Sequence, residues 1–189
     1  MKQIIPVAAL AAMLALGGCV GPTLYDTAVM PTTPAGTPVM SDDGAIGLAA
    51  FVLGNPAQAR GFPGQGARAL AAVDYLAGQL YMSPRWIGMP VQTKALMLRG
   101  RGEVRAVLRI PDGTPSQAVV NGLIAAATAL DAHDTQRAAA ALDPRIFTLG
   151  PAATIALLGN LPPMPVAGQA VQRANFVIMY SSSGAMGWG

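Results

Sequence analysis

The chain has 189 residues, of which 52% are apolar and only 11% charged, with a net charge of +3. That length suits one domain once a targeting segment is set aside, and the charge is too small to argue for a nucleic-acid partner. A single cysteine excludes an internal disulfide, and one histidine with nine scattered acids leaves general acid–base catalysis few actors.

Lys2 gives a short positive start, and residues 4–16 form an apolar run that ends in Leu16-Gly17-Gly18-Cys19. The run is too short for a membrane span, which needs about 20 apolar residues, but it has the layout of an export signal. Small residues before a cleavage point let a peptidase take the backbone in extended form. This pattern resembles the lipobox of bacterial lipoproteins, a Leu followed by two small residues and Cys. The resemblance covers residues 1–19 alone. It implies cleavage after Gly18, a thioether-linked diacylglyceryl group on Cys19 and acylation of the new amino group. It further implies a cell-envelope location, lipid-anchored in the bilayer. Val20, where an Asp would favour the inner membrane, points to the outer membrane with the domain facing the periplasm. Several acyl chains anchor stably where one binds only reversibly.

Residues 19–43 read as the lipidated Cys followed by a tether. Pro22, Pro31, Pro34 and Pro38 alternate with threonines, and no apolar periodicity is evident. Such a stretch is expected to stay extended and hydrated, reaching about 75 Å as polyproline or nearer 27 Å as loose coil. The domain is expected over 44–180. Its first segment, 45–53, is apolar and stops at Gly54-Asn55-Pro56; its length allows a buried helix or a strand. The glycines of Gly61-Phe62-Pro63-Gly64-Gln65-Gly66 shape the chain rather than hold a phosphate, since no Lys-Ser/Thr ending follows.

Helical spacing then takes over. Leu70, Val73, Ala77 and Leu80 predict a helix over 67–82, with Arg68, Tyr75 and Gln79 on the opposite face. A second helix is predicted over 91–110. A third follows to about residue 130, with Thr114 as its N-cap and Pro115 at its first position. Asp134 is placed to cap a short helix ended by Asp143-Pro144, and Gly150-Pro151 to start another with Gly159-Asn160 as its left-handed stop. The last segment, 167–180, has helical spacing, although the run from Phe176 to Tyr180 would also suit a strand. Residues 181–189 are small and glycine-rich and read as a flexible tail. Five to seven helices with few strand signals predict an all-α fold, a small irregular bundle.

Candidate binding residues cluster between 85 and 109. Lys94, Arg101, Arg105 and Arg109 fall within an arc of about 80° at 100° per residue, next to an apolar arc of Leu96, Met97, Val104, Val107 and Leu108. Such a face could meet an anionic partner, whether lipid headgroups, an acidic envelope polymer or an acidic protein partner, or be a solvated face balanced by Glu103 and by Asp74 on another helix. Arg85 and Trp86 sit in a proline-bounded loop, where an indole and a guanidinium suit a sugar or peptide plane; the plainer alternative is a tryptophan plug. His133, between Asp131 and Asp134, lacks the further histidine or thiol that a metal site needs, and is read as helix-end chemistry. No catalytic constellation, metal site or cofactor is expected. The reading that results is a membrane-anchored lipoprotein with a structural or binding domain. The alternative is a lipid-anchored enzyme or small-molecule binder with its pocket near Arg85 and Trp86.

Overall fold

The computed structural model describes residues 25–184 and is all-α, with seven α-helices among them. These are α1 (Asp42–Gly54), α2 (Pro63–Met82), α3 (Val91–Val107), α4 (Ser116–Asp131), α5 (Thr135–Ala141), α6 (Pro151–Leu158) and α7 (Pro165–Gly184). Short 3₁₀ turns at Pro56–Ala59 and Pro84–Trp86 link α1 to α2 and α2 to α3. The signal segment, Cys19 and residues 20–24 lie outside the described residues, as do residues 185–189. No helix among the described residues is long and apolar enough to cross a membrane.

The bundle is organised around α2. Five alanines and three glycines stand among its twenty residues, so neighbours can approach it from every side, and α1, α3, α4 and α6 all pack against it. At Gly66 a Cβ would stand 2.2 Å from the Leu158 carbonyl oxygen, so only glycine lets α6 come this close. The amphipathic reading of α2 is corrected here. Tyr75, expected on an exposed face, is buried, because small residues have made α2 the central helix rather than a surface one. Antiparallel α7 closes the other side against α1 and α3, with Gln172 donating to the Ala50 carbonyl (2.8 Å). Glu103 of α3 accepts from the Ala167 N–H (2.8 Å) and so satisfies a free donor in the first turn of α7. Phe147, Ile46, Leu70, Leu76, Leu80, Met97 and Leu123 form the dry centre.

Helix ends follow local chemistry, with two departures from the expected caps. Ser41 caps α1 and Asp134 caps α5 through their side-chain oxygens. Thr114 caps nothing: its hydroxyl turns back to the Pro111 carbonyl (2.7 Å), and α4 begins only at Ser116. Pro115, extended at ψ 135°, holds the cap position without a side-chain acceptor, and the Ser116 N–H is taken instead by the distant Asp26 carboxylate at 2.6 Å. Gly159 is right-handed, at φ −81°, because its carbonyl is turned to accept the Gly61 N–H at 2.9 Å. The left-handed stops fall at Arg109 (φ 50°) and His133 (φ 57°). After each, the next N–H reaches five residues back, from Ile110 to Arg105 and from Asp134 to Ala129, both at 2.9 Å. That is the Schellman closure, and it accounts for both residues without a ligand.

The extended, hydrated tether is also corrected. From Tyr25 onward the chain lies on the bundle as a strap. Ala28 and Met30 are buried while Tyr25, Thr27 and Val29 are exposed, the alternation of an extended segment against a surface. Gln117 clamps Val29 from both sides, accepting its N–H (2.7 Å) and donating to its carbonyl (2.9 Å). Pro31, Pro34 and Pro38 occupy a small loop closed by Val39 N–H to Pro31 O and by the Thr32–Pro38 bridge, and this loop delivers the chain to Ser41. Proline removed donors but did not prevent packing, since the anchoring groups come from the residues between. At the other end α7 runs to Gly184, so residues 181–184 belong to a helix and not to a tail.

Candidate functional site

The corner formed by Arg85 and Trp86 is spent on internal contacts. Trp86 is 7% exposed and its indole N–H donates to Asp42 Oδ2 at 2.9 Å. The other Asp42 oxygen accepts from the Tyr75 hydroxyl (2.5 Å), which in turn accepts from Gln79 (3.2 Å). Burial, with the Asp42 bond and charge adding to it, pushes the Tyr75 phenol well above its ordinary value, so it stays a donor. Arg85 lies 5.0 Å from the Trp86 ring and pairs with Asp43 at 2.6 Å, with both side chains half exposed. Trp86 therefore plugs α1 against the α2–α3 connection, and the geometry of a sugar-stacking platform is absent from this corner. A shallow cleft of ≈ 400 Å³ remains beside it, bordered by Asp43, Met89, Val177 and Ile178. Trp86→Phe keeps most of the packing and removes the donor to Asp42. Urea denaturation should show a loss of about 1–2 kcal/mol; an unchanged midpoint would mean the indole bond contributes nothing.

The basic face of α3 is corrected as well. Arg105 turns inward and grips Asp74, a residue of α2 at 0% exposure, through two bonds of 2.7 and 2.9 Å. Two further donors go to the Thr114 carbonyl and Ser116 Oγ, both at 2.8 Å. Arg101 is buried beside it and donates to the Asp26 carbonyl (3.0 Å) and to Ser116 Oγ (3.3 Å). Burial alone would lower the Arg105 pKa, but the bonds and charge of Asp74 hold it above its usual value. For Arg101 burial prevails and its pKa falls, against the opposing pull of Asp74. A carboxylate sealed in an apolar helix requires a paired, hydrogen-bonded cation. That demand draws in two of the four residues that the helical wheel places outward. Of the other two, Lys94 reaches over the Tyr81 ring (5.9 Å) and Arg109 is the exposed left-handed stop.

A cleft of ≈ 890 Å³ opens at the far end of α2, between α1 and the α4–α5 junction. Leu48, Phe51 and Phe62 give it apolar walls, and Arg68, Asp131 and His133 a polar rim. Arg68 and Asp131 are paired at 2.5 Å. Among the described residues no three His, Cys, Asp or Glu side chains come together as a metal site. Sequence reasoning missed this cleft because its walls come from three separate segments.

The opposite end of the bundle is apolar and exposed. Ile87, in the turn after Trp86, is 89% exposed, and Met82 and Val91 flank it on α2 and α3. The C-terminal half of α7 arrives at the same place, with Val177 and Ile178 beside Trp86 and Met89, while Phe176, Met179 and Tyr180 stay exposed. Tyr25, where the strap begins, stacks on Tyr81 with ring centroids 4.5 Å apart. No family model, curated protein or solved structure matches this chain.

Proposed function

We propose that the chain is an acylated envelope lipoprotein whose helical domain is held close to a bilayer for a structural or binding role. The observation that carries this reading is Leu16-Gly17-Gly18-Cys19 at the end of a short apolar run, with the chain's single cysteine at its close. The thiol would take the diacylglyceryl group, and two or more acyl chains would make the attachment stable. Val20 in place of an Asp supports the outer membrane, with the domain on its periplasmic side. With Arg101 and Arg105 turned inward, an anionic envelope polymer has a weaker claim as partner than a protein or lipid surface. One histidine and nine scattered acids leave acid–base chemistry few actors, which favours a binding or structural role over catalysis.

The test is chemical and direct. Mass spectrometry of the mature protein should give a polypeptide that begins at Cys19 and carries acyl mass. The wild-type protein should sediment with membranes and Cys19→Ser should not. A Cys19→Ser chain that still sedimented as before would overturn the reading.

A second reading, small-molecule binding, is favoured by the size of the cleft lined by Phe51 and Phe62, which falls within the range of ligand pockets. Its place is then the far end of α2 rather than the corner of Arg85 and Trp86. Anilinonaphthalene sulfonate should fluoresce on binding there and lose that signal in Phe62→Asp; equal signals in both proteins would dismiss it.

A further inference from the structure

We infer that the end of the bundle built from the α2–α3 connection, the start of α3 and the C-terminal half of α7 is a bilayer-contacting surface. The inference rests on acylation of Cys19 and adds which face of the domain meets the lipid.

Leash length is the first ground. Because the strap is bound from Tyr25 onward, Cys19 is six residues from a fixed point of the fold. Six residues span at most about 20 Å, whereas α2, with twenty residues, is about 30 Å long. An acylated Cys19 therefore keeps the Tyr25 end near the membrane and leaves the end at Phe62 and His133 pointing away from it.

The surface itself is the second ground. Seven of the ten large apolar side chains exposed among the described residues gather at this end: Tyr25, Met82, Ile87, Val91, Phe176, Met179 and Tyr180. Aliphatic side chains beside tyrosines suit the boundary between headgroups and acyl chains. Lys94, lying over Tyr81, can carry its charge to the headgroups along an apolar stem. Of the acids at this end, Asp43 is charge-paired with Arg85, and both Asp42 oxygens are turned inward to Trp86 and Tyr75. From residue 174 to 189 the sequence has no charged residue, so α7 meets lipid without having to bury one.

A thiol placed at Ile87 tests this, because acylation of Cys19 leaves no other cysteine to react. The acylated full chain carrying Ile87→Cys is labelled with nitrobenzoxadiazole and reconstituted in phosphatidylethanolamine–phosphatidylglycerol vesicles. Gln136→Cys, exposed at the far end, serves as reference. The probe at position 87 should emit to the blue of the reference and be quenched several-fold more strongly by doxyl-labelled lipid. Equal, water-like emission at both positions in protein with acyl mass on Cys19 would overturn the surface and leave the lipoprotein reading standing. A blue shift without lipid quenching would mean that a protein, including a second copy, covers this end, and would overturn it too. Protein without acyl mass would remove both readings together.

Discussion

Asp74→Ala, made in the Cys19→Ser chain so that the protein can be handled without detergent, should lose about 3–5 kcal/mol of unfolding free energy in urea. Against a typical total of about 5–15 kcal/mol, that brings the fold close to collapse. The cause is the Arg105 guanidinium, which keeps two donors pointing at a site with no acceptor and cannot shed its proton. Arg101 loses the attraction that offsets its own burial. Removing both partners is a different matter. A double change of Asp74→Leu and Arg105→Met should recover most of the loss, since an apolar pair of similar volume carries no desolvation penalty. A single-variant loss below about 1 kcal/mol would show that water reaches the pair and that it behaves as a surface bridge.

Gly78→Val should detach the strap. A Cβ at this position would stand 2.3 Å from the Asp26 carbonyl oxygen and 2.9 Å from Thr27 Cα. Both atoms are backbone, so no rotamer change can make room, and the strap must lift from α2. The loss should be about 1–3 kcal/mol, in the range of overpacked cores, with protease cleavage appearing between residues 25 and 40. Gly47→Ala is the fitting control, because a Cβ there meets nothing within 4 Å and should raise helix stability by about 0.5–1 kcal/mol. In the acylated protein a lifted strap would lengthen the free chain from the six steps between Cys19 and Tyr25 to the 22 steps between Cys19 and Ser41. The probe at position 87 should then lose its lipid quenching although the protein stays anchored. Resistance to cleavage equal to that of the unaltered chain would show that the strap tolerates the methyls.

Much of the bundle is legible along the chain because its punctuation is local. Ser83-Pro84, Pro111-Asp112-Gly113, Asp143-Pro144 and Gly150-Pro151 break helices wherever the chain runs, and the helices lie between these breaks. Asp134 caps α5 as its position predicts, since a cap needs only the next three residues. The failures are equally specific. Arg101 and Arg105 fall on the polar side of a helical wheel, but a wheel knows nothing of Asp74 on another helix. Thr114 looks like a cap, yet Asp26, ninety residues from Ser116, performs that role. Residues 25–40 read as a tether because composition averages over them and hides the alternation of Ala28 and Met30. Asp74 itself, a lone carboxylate in Ala-Ala-Val-Asp-Tyr-Leu, was the available signal, because a charge so placed demands a buried partner.

The sequence by itself determined the export-like start with its lone Cys19, the all-α class and most of the breaks between helices. These depend on backbone rules and on contacts within a turn or two. Only the tertiary structure decided which charges face inward, that the chain from Tyr25 onward packs as a strap and which end of the bundle is left apolar. Those follow from burial, and burial is set by which distant surfaces meet.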